Sequence, residues 1–354
     1  MDLYTELKKI QAPDPLWRQR CETHWDNIVK PLDSLGLLEE TISQIGAITR
    51  REDVRLERKM IIAMCADNGI VEEGVTQTDN SVTAIVTENM AKGIANVNVM
   101  GRFSDTTVLP VDIGVAVDLR HPGVRNRKIA YGTKNFTKEP AMTRAQTEQA
   151  IAVGMELAAE AKADGYDLIG LGEMGIGNTT TSSALTAVFL NRSPKEVTGH
   201  GAGLSSAGLQ KKIQTIQKGI ALHRPDPQNP LDVLSCLGGL DIAGLVGVIL
   251  GCAIHHLPVV LDGFITYAAA LTAVRLAPSA RSYLVASHIS KEPASRLLID
   301  ELQLRPIIHG EMSLGEGTGA AALFPLLEMA LAIYRQNNTF ADAKIEAYQH
   351  FAEA

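Results

Sequence analysis

Two turns in this chain place a carboxylate inside a run of glycines: Gly172-Glu173-Met174-Gly175-Ile176-Gly177-Asn178-Thr179-Thr180-Thr181, and Gly315-Glu316-Gly317-Thr318-Gly319. Each follows a short apolar run and opens a long, Ala-rich stretch of helical pattern. A glycine-rich turn between strand and helix aims backbone N–H groups and a positive helix end at one point, which suits a phosphate. The glutamate in each turn would repel that phosphate unless it faces a different group. The pattern predicts an enzyme that holds a phosphorylated substrate and moves a proton beside it. Glu316, flanked by Leu314 and apolar helix residues, is the candidate base, because partial desolvation raises a carboxyl pKa toward a useful value. For both Glu316 and Glu173 the alternative is an N-terminal carboxylate that complements the helix dipole.

Gly199-His200-Gly201-Ala202-Gly203 forms a third glycine cluster, ahead of a helix that Ser205 caps. It completes a phosphate or ribose site if Lys211 or Lys212 supplies a cation; otherwise it is an irregular loop beside solvated lysines. Gly170-x-Gly172-x-x-Gly175 satisfies the spacing of a dinucleotide-binding turn, but Glu173 inside it would face the pyrophosphate, and Glu196 ends no strand. A nicotinamide-dependent oxidoreductase is therefore the weaker reading. His255-His256 are adjacent and cannot face one metal, so they read as packing or capping residues. His288, at a strand end, is either a polar-site residue or a structural hydrogen-bonding group. Neither a Walker lysine, a His-Glu-x-x-His pair nor a nucleophile elbow occurs.

The elements that must position these residues are buried strands alternating with helices. Apolar runs at 60–65, 106–113, 166–171, 258–261, 282–286 and 304–308 are hydrophobic at nearly every position, the mark of parallel strands covered on both faces. Thr143-Arg144-Ala145-Gln146 is a capping box opening a helix through Lys162, and Ser205 starts one through about Leu222. The expected fold is α/β: a Rossmann-like, mostly parallel sheet of about six strands with helices on both faces. Residues 1–59 and about 325–354 are expected to form a small helical domain beside a catalytic domain of 60–324. In an open parallel sheet, ligands bind at the carboxyl ends of the strands. Asp67-Asn68-Gly69, Asp112-Ile113-Gly114, Asp262-Gly263, Ser287-His288 and both Gly-Glu turns fall there.

Composition narrows the class. The 354 residues are 45% hydrophobic and 5% aromatic, with 30 glycines, which fits a tightly packed α/β enzyme. A net charge of −7 leaves no footprint for nucleic acid or an anionic membrane. Cys21, Cys65, Cys236 and Cys252 are dispersed, which argues against disulfides or zinc and for a reducing cytoplasm. The first residues, Met1 to Lys9, read as a charged amphipathic segment and not a signal peptide. The longest apolar stretch, 243–254, is too short to span a bilayer.

These turns and their surroundings resemble the nicotinate-nucleotide:5,6-dimethylbenzimidazole phosphoribosyltransferase family of cobamide (vitamin B12) assembly. The likeness covers nearly the whole chain. It runs through Lys30-Pro31-x-x-Ser34-Leu35-Gly36, Ala66-Asp67-Asn68-Gly69, Gly132-Thr133-Lys134-Asn135-Phe136, Gly238-Gly239-x-Asp241-Ile242-Ala243-Gly244, Val259-Val260-Leu261-Asp262-Gly263-Phe264 and Leu314-Gly315-Glu316-Gly317. The resemblance implies transfer of 5-phosphoribose from nicotinate mononucleotide to a lower-ligand base, with inversion at C1 and with neither metal nor cofactor. It implies that Glu316 deprotonates the incoming base. It sets Glu173, Gly175, Ile176, Gly177, Asn178, Thr179 and Thr180 beside the nucleotide, with Gly201, Gly203 and Lys212 in the neighbouring loop.

One departure from the family pattern falls in a region that contributes to the acceptor pocket; others are Leu32-Asp33, Asn68, Ala202 and Ala294-Ser295. Thr78-Asp79-Asn80-Ser81 stands where Tyr-Pro-Gln-Glu is common. Asp79, Asn80 and Ser81, together with Met174 and Leu314, are the expected acceptor contacts. The family includes enzymes that accept purines and paired paralogous subunits that ribosylate phenol or p-cresol. The resemblance therefore implies a homodimer, or a heterodimer with a paralogue in which this chain is a weakly active or regulatory subunit.

Overall fold

The computed structural model describes residues 3–351; Met1, Asp2 and residues 352–354, which belong to the terminal stretches expected to be helical, lie outside the described residues. Six strands form one sheet: β1 (Lys59–Ala66), β2 (Thr106–Gly114), β3 (Arg125–Asn126), β4 (Leu168–Met174), β5 (Val259–Leu261) and β6 (Leu284–Ala286). Their order is β3-β2-β1-β4-β5-β6, and every pairing is parallel. All eight residues of β1 are buried. That matches its unbroken apolar sequence, since a central parallel strand meets helices on both faces. The order reverses between β1 and β4, where such sheets open a crevice at their carboxyl ends.

One expected strand is absent and one unforeseen strand replaces it. Residues 304–308 form no strand; Ile308 alone bridges to His288. Pro306 withholds one N–H from any ladder there, although β2 accommodates Pro110 within its pairing to β1. β3 consists of two exposed polar residues beside Val111 and Asp112 and carries no apolar pattern to be read. β4 runs on through Glu173 and Met174, so the glutamate closes the strand and the turn proper begins at Gly175.

The expected helix starts are present. Thr143 and Gln146 form a reciprocal capping box ahead of helix Arg144–Ala163. The Ser205 hydroxyl accepts the Gly208 N–H ahead of helix Ser206–His223. The longest apolar run becomes helix Leu240–Ile254, buried at 14 of its 15 positions. It packs against Arg144–Ala163 almost backbone to backbone: a Cβ on Gly247 would stand 2.0 Å from the Ile151 carbonyl oxygen. Among the described residues no helix is long and apolar enough to cross a membrane. His255 ends this helix as its C-cap, and His256 Nδ1 lies 3.1 Å from the Tyr283 hydroxyl.

The chain ends meet on one face of the sheet. Helices Pro15–Asn27 and Leu37–Thr49 contribute Cys21, Trp25, Ile42 and Ile45, and helix Thr318–Gln336 contributes Leu323, Phe324 and Leu327. These share one core with Ile61, Ala63, Leu168 and Val260 of the sheet. An antiparallel bridge between Ile28 and Thr339 ties the two ends together. After Gln336, among the described residues, the expected C-terminal helix continues only as one turn, Phe340–Ala343.

Candidate active site

At the carboxyl ends of β4, β5 and β6 the chain encloses a cavity of about 250 Å³. One wall is the first Gly-Glu turn, with Glu173, Met174, Gly175, Ile176, Asn178 and Thr179. Facing it are Leu314, Gly315 and Glu316 of the second turn. The start of helix Phe264–Leu276, from Gly263 to Thr266, closes a third side with His288, Ser290 and Gly201. A larger groove, about 1100 Å³, lies at the opposite ends of the strands. Much of its charge is already paired, as in Arg55–Asp53 and Arg335–Glu57, and neither Gly-Glu turn enters it. The smaller cavity has the chemistry.

The two turns, far apart in sequence, are in contact. A Cβ on Gly172 would stand 2.4 Å from the Glu316 carbonyl oxygen, and one on Gly315 would stand 2.5 Å from Glu173 Oε1. Gly315, Glu316 and Gly317 all adopt left-handed backbone, with φ of +86°, +64° and +98°. Two of these are free for glycine; for Glu316 the conformation is strained and must be held by its surroundings. The holding group is Asp262, at the end of β5. Its Oδ2 accepts the Gly317 N–H at 3.0 Å and its Oδ1 accepts the Gly319 N–H at 2.6 Å. This carboxylate takes up amides at the positive end of helix Thr318–Gln336. Asp262 thus already occupies amides of the second turn that an incoming anion would otherwise use.

Glu316 is 8% exposed and is held from both sides of its carboxylate. Asn96 Nδ2 donates to Oε1 at 2.8 Å, and the Val97 N–H donates to Oε2 at 3.1 Å. The side chain therefore also anchors the start of helix Asn96–Gly101. Each carboxylate oxygen accepts more than one hydrogen bond, so capacity remains for a substrate donor.

Buried acids collect behind the first turn without a cation among them. Asn178 Nδ2 donates to both Glu173 Oε2 and, at 3.1 Å, Asp241 Oδ2. Burial, seconded by Asp262 and Asp241 and opposed by Asn178, pushes the Glu173 carboxyl up to about 8. Burial likewise raises Asp241 to about 7, and raises Asp262 to about 6 against the pull of its two amides. Asp241 Oδ1 and Asn68 Oδ1 are buried acceptors without donors among the described residues, and both lie beside Gly239. A proton on Asp241 turns one of that pair into a donor, in keeping with its raised pKa. On the opposite side Lys212 is buried, and its Nζ donates to Thr179 Oγ1 at 2.8 Å. Burial, opposed by Glu292, pulls its amine down to about 8. A desolvated ammonium of this kind favours an incoming anion. Glu292 Oε1 accepts the Gly201 N–H at 2.9 Å, while its Oε2 is buried without a donor among the described residues.

Of the residues singled out in the sequence, the cavity gathers Glu316, Glu173, Gly175, Ile176, Asn178, Thr179, Gly201, Met174 and Leu314. Lys212 stands behind Gly201 and reaches the site through Thr179. Gly177, with φ of +95°, is the N-cap of helix Asn178–Phe189, and Thr180 is buried inside that helix. Gly203 contacts Gln77 outside the cavity. Asp79, Asn80 and Ser81 do not line the cavity. Asp79 instead accepts the Ser81 N–H at 2.9 Å at the start of helix Ser81–Ala91. That helix sends Thr83 under the first turn, where its hydroxyl accepts the Ile176 N–H, and Val86 into the cavity wall. Asp262, Asp241, Asn96 and Glu292 carry tasks that spacing does not reveal. Asp262 was visible only as a polar residue at a strand end, and Asp241 as a lone carboxylate inside an apolar helix. Among the described residues no group of three His, Cys, Asp or Glu side chains is arranged to hold a metal ion.

Comparison with known proteins gives a consistent picture. The profile of a family described as Phosphoribosyltransferase matches residues 10–345. The nicotinate-nucleotide–dimethylbenzimidazole phosphoribosyltransferase of Ruminiclostridium cellulolyticum is 46% identical over 331 residues, 94% of either chain. The enzyme of the same name from Clostridium acetobutylicum is 44% identical over 349 residues, 99% of either chain. A crystal structure of CobT from Thermus thermophilus superposes with a TM-score of 0.89 at 38% identity, covering 94% of this chain and 99% of that one.

Proposed function

The chain belongs to the nicotinate-nucleotide:dimethylbenzimidazole phosphoribosyltransferase family, pentosyltransferases of cobalamin biosynthesis, and from that membership we propose that it transfers the 5-phosphoribosyl group of nicotinate mononucleotide to a lower-ligand base. The bond from ribose C1 to the pyridinium nitrogen breaks, and its electron pair neutralises that ring nitrogen as nicotinate departs. A ring nitrogen of the acceptor attacks C1 from the opposite face, so the configuration inverts. The N–H proton of the attacking base is the one surplus proton, and Glu316 takes it.

The observation that carries this reading is the single cavity with the two Gly-Glu turns on facing walls. The Thr179, Gly201 and Lys212 side supports binding of the 5′-phosphate, because a buried amine with a lowered pKa gains most from an anion. Met174, Leu314 and Val86 offer an apolar surface for a flat aromatic acceptor beside Glu316. Asp79, Asn80 and Ser81 act on that acceptor by setting the start of the helix that carries Val86. Displacement at C1 passes through oxocarbenium-like charge, so the arrangement has most to offer through alignment, up to ~7–11 kcal/mol in favourable cases. General-base help adds about 10²–10⁴-fold.

Incubating the chain with nicotinate mononucleotide and a panel of benzimidazoles, adenine, phenol and p-cresol, with mass spectrometry of the ribotides, tests activity and acceptor class together. Glu316→Gln should fold and bind nucleotide but turn over at least tenfold more slowly; unchanged turnover removes Glu316 from the role of base. Product formed only after a paralogous chain is added would assign this chain to a heterodimer, and the mass in solution separates that from a homodimer.

A further inference from the structure

His288 lines the cavity, yet the transfer reaction assigns it no task. It is 2% exposed and its main chain is fixed: its carbonyl accepts the Tyr267 hydroxyl at 2.8 Å, and the residue bridges to Ile308. Its protonation follows from its neighbour. Ser287 Oγ lies 3.0 Å from the Asp262 carbonyl oxygen and 3.0 Å from His288 Nδ1. A carbonyl only accepts, so the single hydroxyl proton goes to Asp262. Nδ1 must then carry the proton of its own contact with Ser287. Burial pulls the His288 pKa down to about 4, so the ring is neutral at physiological pH. The remaining nitrogen, Nε2, is therefore a bare acceptor. No hydrogen bond to it from a described residue is present, and it lies beside Gly263, where the cavity wall turns.

A bare acceptor rejects phosphate and carboxylate oxygens and needs a donor. At neutral pH a nicotinate mononucleotide has ionised its carboxyl and most of its phosphate. Its ribose 2′- and 3′-hydroxyls are then its dependable donors. We propose that His288 is a specificity-determining residue that accepts a hydrogen bond from a ribose hydroxyl of the nucleotide through Nε2. The proposal rests on the transferase reading, in which the other available donor, the acceptor N–H, goes to Glu316. The δ-protonated ring ties substrate recognition to the Asp262 main chain, and the Asp262 carboxylate in turn holds the Glu316 turn.

Two variants separate this contact from a structural role. In His288→Asn the amide NH₂ replaces Nδ1–H and keeps the Ser287 contact, but nothing remains at Nε2. In His288→Gln the amide oxygen falls near Nε2 and restores an acceptor. Binding of nicotinate mononucleotide and of its 2′-deoxy and 3′-deoxy analogues is measured by calorimetry, alongside turnover and thermal stability. The wild type should bind one deoxy analogue about tenfold more weakly than the parent, the worth of one neutral hydrogen bond. His288→Asn should lose that discrimination while remaining folded, and His288→Gln should recover part of it. A folded His288→Asn that still discriminates as the wild type does overturns the inference, as does a wild type indifferent to both deoxy analogues. A variant altered only in its response to the acceptor overturns it by assigning Nε2 to the acceptor N–H. A wild type that binds no nucleotide and makes no ribotide overturns the transferase reading as well.

Discussion

Replacing Gly172 by alanine tests whether contact between the two turns, and not either turn alone, sets the activity. Gly172 does not need glycine for its own backbone angles, since it is not among the residues with positive φ. What forbids a side chain is space: the new Cβ would lie 2.4 Å from the Glu316 carbonyl oxygen and 3.0 Å from Ile61 Cγ2. Ordinary contact begins near 3.4 Å, so the Glu316 peptide must retreat by about 1 Å. It cannot do so freely, because Asp262 grips the amides on its far side and Asn96 and Val97 grip its carboxylate. Overpacking of this kind costs about 1–3 kcal/mol of stability. A displacement near 1 Å at a reacting group costs about 10²-fold in rate. The assay is kcat per folded molecule, with urea unfolding measured in parallel. Gly93→Ala is the control: its φ is +75° and nothing lies within 4 Å, so it loses about 1–2 kcal/mol to backbone strain alone. Gly172→Ala should lose activity far beyond that control at comparable stability. Equal activity per folded molecule in the two variants would refute the coupling of the turns.

The buried titrating groups give further expectations. Glu173 has its pKa raised from 4.5 to about 8, so the folded state holds a proton that the unfolded state releases between those values. Its contribution therefore makes the free protein less stable as pH rises from about 4.5 to 8. Glu173→Gln, which cannot ionise, should show a melting temperature that gains on the wild type through that window; a constant difference would contradict the raised pKa. Lys212 is protonated only below about 8, so KM for the nucleotide should climb above that pH, and Lys212→Met should raise KM throughout and abolish the climb. Asn96→Ala removes one of two donors to Glu316 and should lower kcat by about tenfold with little change in nucleotide affinity, read from saturation curves at fixed acceptor.

Much of the fold was legible because its signals are local. Buried strands have to be apolar at every position, as β1 is, and the Thr143 capping box marks a helix start through side chains three residues apart. What escaped reading was set by pairing. β3 exists because β2 offers it an edge, and residues 304–308 meet the sheet edge through a single bridge, Ile308 to His288. In the site, glycines and carboxylates of the turns announced themselves by type and spacing. Their partners did not, since Asn96 lies 220 residues from Glu316 and Asp262 lies 57 from Gly319. Hydrogen bonding ignores sequence distance, so no spacing encodes such contacts.

By itself the sequence determined the alternation of strands and helices, the family, and the two turns as the places where chemistry is possible. Tertiary structure alone decided the surroundings of each turn. Asp262 occupies the helix end that would otherwise attract an anion, and so frees the second turn for Glu316. Burial among other acids makes Glu173 hold its proton, whereas Lys212 is stripped of water on the opposite side. Charge, protonation and access depend on what surrounds a group within a few ångströms, and only the folded chain brings those surroundings together.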